Sequence, residues 1–253
     1  MAAPLGRETR HKVNNKFEFR HTGYCDICER SVEFRATETW FRDHLVCPVC
    51  QSIPRERALM QALKLYCPDY PQKHIHESSP IGRGVSARLV REAKHYSSSQ
   101  YIPGTPFGTI DPRFKTRCES LEALTFPDKS FDMIITQDVM EHIMDPQAAF
   151  REIARVLRPG GFHIFSVPLV RKNEPSRRRA RLNADGMIEH LLAPEYHGNP
   201  VDNTGSLVTM DWGYDIIAEI AKASGMAGQI IQTDDIDRGI RAEFIEIVVS
   251  IKR

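Results

Sequence analysis

The stretch Phe126–Pro168, FPDKSFDMIITQDVMEHIMDPQAAFREIARVLRPGGFHIFSVP, constrains the fold more than any other, because it reads as a complete strand, helix, strand unit. Met133, Ile134 and Ile135 form a continuous apolar run behind the polar turn Asp128-Lys129-Ser130, the pattern of a strand covered on both faces in a parallel sheet. Asp145 is placed to cap a helix, with Pro146 at the first helical position and Phe150, Ile153 and Leu157 on one face. Arg158-Pro159-Gly160-Gly161 predicts the end of that helix, and Phe162 to Val167 the next strand. Such crossovers are right-handed. The unit predicts a doubly wound α/β domain, a fold that hosts many chemistries.

The rest of the chain supplies further elements of the same kind. His74 to Ser79 reads as the first strand of the domain, Gly84 to Lys94 as its first helix, His95 to Tyr101 and Lys115 to Cys118 as the next strands. Tyr214 to Ala223 reads as a late helix, with Gln229 to Thr233 and Glu243 to Ile251 as closing strands. With 253 residues, 41% of them apolar, there is material for one such domain and a small accessory module. A net charge of +1 exerts no global pull toward nucleic acid or an anionic membrane. No apolar run approaches a membrane span and the N-terminus carries no hydrophobic signal region, so the expectation is a cytoplasmic protein without a membrane partner.

Four of the six cysteines fall in two pairs, Cys25-Asp-Ile-Cys28 and Cys47-Pro-Val-Cys50, separated by 18 residues. In a reducing compartment this spacing indicates a structural zinc site rather than disulfides. Four thiolates close a tetrahedral site and leave no position for substrate, so such an ion folds the module and does not catalyse. Val32 to Thr37 and Trp40 to Val46 alternate like the arms of a small hairpin, as in a zinc ribbon. Cys67 and Cys118 stand alone and are read as packing residues. The expected organisation is a loose tail over 1–20, a four-cysteine ribbon over 21–52, a linker helix over 53–71 and the α/β domain over 72–253. A non-periodic insertion over 169–211, rich in Pro, Gly, Asn and charge, reads as a lid.

FPDxSFD, a strand, an EH dipeptide, an amphipathic helix and RVLRPGG, in that order, resemble class I S-adenosylmethionine-dependent methyltransferases, especially those acting on small molecules and natural products. The resemblance implies a Rossmann-like seven-stranded sheet, S-adenosylmethionine as cofactor and a small-molecule acceptor. It also implies where the cofactor sits, at the carboxyl ends of the strands. After the first strand the family has an acid and GxGxG; here the segment is HIHESSPIGRG, which aligns His76 with the acid, Ser78 and Pro80 with two glycines and Gly82 with the third, leaving Glu77 one position late. The cofactor-binding residues implied are Glu77, Ser78, Ser79 and Gly82 on this loop, and Ser99 and Gln100 where a ribose-binding acid is expected. Glu119 and Ser120 follow near the adenine, then Gln137 and Asp138 after the fourth strand.

Methyl transfer needs a general base only when the acceptor must lose a proton. Candidate bases are Asp138, His142 of the EH dipeptide, and His190 and His197 in the lid; Asp138, His142 and His197 are taken as the catalytic set. The altered first loop keeps open a non-catalytic scaffold protein. The basic cluster Arg171, Lys172, Arg177, Arg178, Arg179 and Arg181, beside a zinc ribbon, keeps open an RNA methyltransferase, against which the near-neutral charge argues.

Overall fold

The computed structural model describes residues 17–199, 201 and 204–253. Strands β1 (Phe19–Cys25) and β2 (Arg30–Ala36) form an antiparallel hairpin whose turn carries the first CxxC pair. The hairpin thus lies earlier than the alternation placed it. Trp40–Val46, read as an arm, instead contains the short helix α1 (Phe41–His44), and only Val46 bridges back to Arg35. Asp43 holds this turn by accepting from Trp40 Nε1 at 2.8 Å and from Arg55 Nη1 at 2.7 Å, side-chain bonds that a two-residue period does not register. Of the tail expected over 1–20, residues 1–16 lie outside the described residues, and Phe19 and Arg20 already belong to β1.

Helix α2 (Pro54–Tyr66) begins with proline at its first position, and Glu56 Oε2 reaches back to accept from Ile53 N at 3.3 Å. It stops at Cys67, ahead of Pro68. There follow β3 (His74–Ser78), α3 (Gly84–Glu92), β4 (His95–Gln100), β5 (Ile110–Asp111), β6 (Thr116–Cys118), β7 (Phe131–Gln137), α4 (Pro146–Val156) and β8 (Leu157–Ser166). Short ladders then build the insertion: β9 (Arg177–Arg178), β10 (Ala180–Leu182), β11 (Ile188–His190), β12 (Tyr196–His197), β13 (Ser206–Leu207) and β14 (Met210–Asp211). Helix α5 (Ile216–Ser224) and the antiparallel pair β15 (Ala227–Ile231) and β16 (Ile247–Ile251) complete the chain.

The central sheet runs β15-β16-β8-β7-β3-β4-β6-β5, parallel from β8 through β6 and antiparallel at both ends. This is the Rossmann-like sheet of the class I methyltransferase type, with eight strands instead of seven because Ile110–Asp111 adds a two-residue edge strand on β6. A second difference concerns Arg158–Gly161, expected to separate helix from strand. The segment is a bulge inside β8: Phe131 faces Leu157, Met133 faces Phe162, and Gly160 N donates to Lys252 O at 2.8 Å.

Alternation along the strands divides the core in two. Ile134, Phe165 and Val248 point to the face covered by α4 and α5, where Phe150, Ile153, Trp212, Ile216 and Ile220 are buried. Ile75, Ile135, Ile164 and Ile247 point to the other face, under Leu59, Leu63 and Leu89, and the same cluster includes Phe34 and Leu45 from the cysteine-bearing segment. That segment therefore completes a layer of the sheet's own core. Buried Arg57 fastens it, donating from Nη2 to the carbonyls of Leu45 and Gly239 at 2.7 Å each; a buried guanidinium is tolerable only with its donors satisfied in this way. Among the described residues no helix is long and apolar enough to cross a membrane.

Candidate functional site

The two CxxC pairs converge. Cys25 Sγ lies 3.6 Å from Cys50 Sγ and Cys28 Sγ 3.8 Å from Cys47 Sγ, all four sulfurs are within 4.8 Å of one another, and none is in a disulfide. A tetrahedral zinc ion with Zn–S bonds of about 2.3 Å spaces its sulfurs by about 3.8 Å, so the donor set fits. Burial and the neighbouring Cys25 push the Cys28 thiol up to about 11. This is the response expected where several thiolates would crowd together.

Above the carboxyl ends of the parallel strands lies a cleft of about 1390 Å³. Of the residues expected to bind cofactor, Ser78, Ser79, Gln100, Glu119, Ser120, Gln137 and Asp138 line it. Glu77, Ser99 and Gly82 do not. Glu77 is fully buried behind the wall, where Oε1 accepts from Ser86 Oγ at 2.6 Å and Gln137 Nε2 at 2.8 Å, and Oε2 from Tyr96 OH at 2.8 Å. Burial raises its pKa against those donors. Ser99 Oγ meets His76 Nε2 at 2.9 Å, on the opposite side of the strand from Glu77. His76, the residue aligned with the family's acid, is held near a pKa of about 3 by burial and by the Arg117 charge, so it is neutral and structural. Gly82 has φ +69° with open space where a side chain would be; it supplies a turn and no close approach.

The carboxylate of buried Glu119 accepts from Arg117 Nε at 2.7 Å and Thr125 N at 3.0 Å, which fixes the loop after β6 at the cleft wall. Gln137 is oriented by Glu77: its Nε2 donates to that carboxylate, and its Oε1 is buried without a partner among the described residues. Asp138 follows with φ +51°, in the left-handed region that aspartate tolerates better than most residues. Its Oδ1 accepts from Ser166 Oγ at 2.9 Å, and its Oδ2 pairs with Arg42 at 2.8 Å and Arg55 at 2.9 Å. Burial would raise its pKa, but the Arg42 and Arg55 charges prevail and lower it. A carboxylate held by two guanidinium groups is a poor proton acceptor, so the geometry makes Asp138 an anchor between modules.

Arg42, Arg55 and Trp40 are cleft residues that no sequence signal marked, since they come from the segment read as ribbon and linker. The other two proposed catalytic residues are brought together: the rings of His142 and His197 stand edge to face with centroids 5.2 Å apart, both at the cleft. Glu141, between them, is not among the residues expected from sequence. It is 2% exposed, and neither carboxylate oxygen has a hydrogen-bond partner among the described residues. The neighbouring Glu141 carboxylate raises the His197 pKa. His190 is exposed on β11 and does not line the cleft.

The basic cluster is largely neutralised within the insertion. Arg177 and Arg179 pair with Asp211, Arg181 with Glu189 and Arg171 with Glu174, while Arg178 Nη1 donates to Met144 O at 2.7 Å and Lys172 lies over the Phe244 ring. The insertion also presents Val170, Leu182 and Ile188 to the cleft, which Tyr101 and Phe107 line as well.

Residues 83–165 match the family model for a methyltransferase domain. A ubiquinone biosynthesis O-methyltransferase from Coxiella burnetii is 28% identical over 91 residues, 36% of this chain and 35% of that protein. A protein of Mycolicibacterium smegmatis, described as an S-adenosylmethionine-dependent methyltransferase, is 31% identical over 144 residues, 55% of this chain and 50% of that one. The chain thus spans no more than half the length of these curated relatives. A crystal structure of an S-adenosylmethionine dependent methyltransferase from Mesorhizobium loti is similar over 78% of this chain and 98% of that chain, at 17% identity and a TM-score of 0.49.

Proposed function

We propose that this chain is an S-adenosylmethionine-dependent methyltransferase acting on a small, largely apolar acceptor, with a structural zinc ion in its N-terminal module. The observation that carries the reading is the pair Glu77–Gln137 at the carboxyl ends of β3 and β7, beside the cleft of a domain that matches the methyltransferase family. Glu77 can only accept when ionised, so it turns the Gln137 amide to leave Oε1 as an acceptor in need of a donor. The ammonium group of a methionine moiety is such a donor. Ser78 and Ser79 would lie along that moiety, Gln100 beside the ribose and the Glu119–Ser120 turn beside the adenine.

A bound sulfonium supplies an activated methyl group and a good leaving group. The chain's own residues then have to position the acceptor and exclude water. Val170, Leu182 and Ile188 supply apolar cover on one side and Trp40 extends the wall from the N-terminal module. Pairing of the insertion's arginines with its own acids favours a small acceptor over nucleic acid, because phosphate binding needs cations that are not already paired.

Isothermal titration with S-adenosylhomocysteine tests the cofactor assignment on folded protein. One site per chain is expected, weakened about tenfold or more in Gln137→Met, since a hydrogen bond to a charged group contributes about 1.5–3 kcal/mol. Absence of detectable binding by folded, zinc-loaded wild-type protein refutes the enzyme reading.

A further inference from the structure

We infer that Glu141, His142 and His197 form a second metal site, specific for a divalent transition-metal ion, in the wall of the cleft. Nδ1 of His142 lies 2.9 Å from the Leu207 carbonyl. A carbonyl only accepts, so the proton is on Nδ1 and the lone pair on Nε2. That lone-pair nitrogen is 3.7 Å from Glu141 Oε1. His197 has Nδ1 3.7 Å from the same Glu141 oxygen and Nε2 3.6 Å from Glu195 Oε1. In each ring one nitrogen faces the shared carboxylate and the other faces an outer oxygen, as metal-bound histidines do.

The spacing is that of ligands rather than of hydrogen-bonded neighbours. One donor atom from each of the three residues lies within 4.8 Å of the others, and the 3.7 Å separations exceed hydrogen-bond length. Bonds of about 2.0–2.1 Å to a tetrahedral ion space the donors by about 3.4 Å, which a small rotation of either ring achieves. The second observation is Glu141 itself. Its carboxyl is buried, lines the cleft and has no hydrogen bond to either oxygen among the described residues, a costly state unless a cation compensates it. Arg42, whose charge also acts on Glu141, is held on Asp138 and the Phe244 carbonyl.

The backbone is fixed for such a role. Thr209 N and Oγ1 both donate to the Glu141 carbonyl, at 2.8 and 3.1 Å, and Trp212 Nε1 donates to the Met140 carbonyl at 3.1 Å. Two imidazoles and one carboxylate suit Zn2+, Mn2+ or Fe2+ better than Mg2+ or Ca2+, which take oxygen ligands. Three protein ligands leave coordination positions toward the cleft, where an acceptor oxygen can enter. That last consequence rests on the methyl-transfer reading; the ion site does not.

Equilibrium dialysis of the full chain against micromolar Zn2+, followed by elemental analysis, tests the site. Wild-type protein is expected to hold one more ion than Glu141→Gln and one more than His197→Ala, with the second ion's affinity reduced at least 100-fold in each variant. His197 is partly exposed in the insertion, so its truncation leaves the core intact and separates ligand loss from misfolding. Equal metal content in wild type and His197→Ala overturns the proposal, whatever the outcome with S-adenosylhomocysteine.

Discussion

Replacing Gly84 by alanine measures how closely the N-terminal module grips the first loop of the α/β domain. Gly84 opens α3 with φ +52°, and its amide donates to the Cys50 carbonyl at 3.3 Å. A methyl there would collide with Glu56 Oε2 and come within 2.9 Å of its Cδ. Glu56 is fully buried; it caps α2 through Ile53 N and pairs with Arg83 at 3.1 Å, so it yields only by giving up that cap. Gly82, two residues earlier, has φ +69° and nothing within 4 Å of the position a methyl would take. The left-handed conformation costs a non-glycine residue about 1–2 kcal/mol at either site. Loss of the buried cap bond adds about 0.5–1.5 kcal/mol at Gly84 alone. The expected losses are therefore about 1–2 kcal/mol for Gly82→Ala and about 1.5–3.5 kcal/mol for Gly84→Ala. Any entropic gain from stiffening the unfolded chain is common to both and cancels in the comparison. Urea unfolding at constant m-value reads the difference directly. Equal losses in the two variants, or a more stable Gly84→Ala protein, would refute the claim that Glu56 and Gly84 are in enforced contact.

Elemental analysis of Cys47→Ser should show loss of the zinc ion proposed for the cysteines, because three thiols cannot close the tetrahedral set; unchanged zinc content contradicts the proposal. Asp132 supplies a pH test. Burial raises its pKa, but the His74 amide at 2.8 Å and Arg158 at 2.9 Å outweigh burial and lower it below the unfolded carboxylate value. The stability it contributes is thus complete above a pH of about 4 and is lost as pH falls through the lower folded value. Asp132→Asn is expected to cost about 1–2 kcal/mol at pH 7 and nothing once both forms are protonated, so a pH-independent difference in unfolding midpoint disproves the link.

Much of the fold was legible because its causes are local. Apolar runs at Met133–Ile135 and Phe162–Val167 and the Asp145 cap, which accepts from Ala148 N at 3.0 Å, each depend on a few adjacent residues. The convergence of the four cysteines was legible because each CxxC turn gathers its own pair locally. The misplaced hairpin and the bulge at Arg158–Gly161 were not, since each is decided by a distant partner: Arg55 on Asp43, and the Lys252 carbonyl on Gly160.

The candidate site divides along the same line. Sequence alone determined which loops reach the carboxyl ends of the strands, and so brought Ser78, Gln100, Glu119, Gln137 and Asp138 into consideration. Which of those side chains face the cleft was decided by strand pairing, since the two-residue period sends His76 and Glu77 to opposite faces and leaves Glu77 to act through Gln137. Only the tertiary structure carried Arg42 and Arg55 onto Asp138, 96 positions apart in the first case. It alone joined His197 of the insertion to Glu141 and His142, because proximity between segments so far apart is set by the packing of the whole core and leaves no periodic trace in either segment.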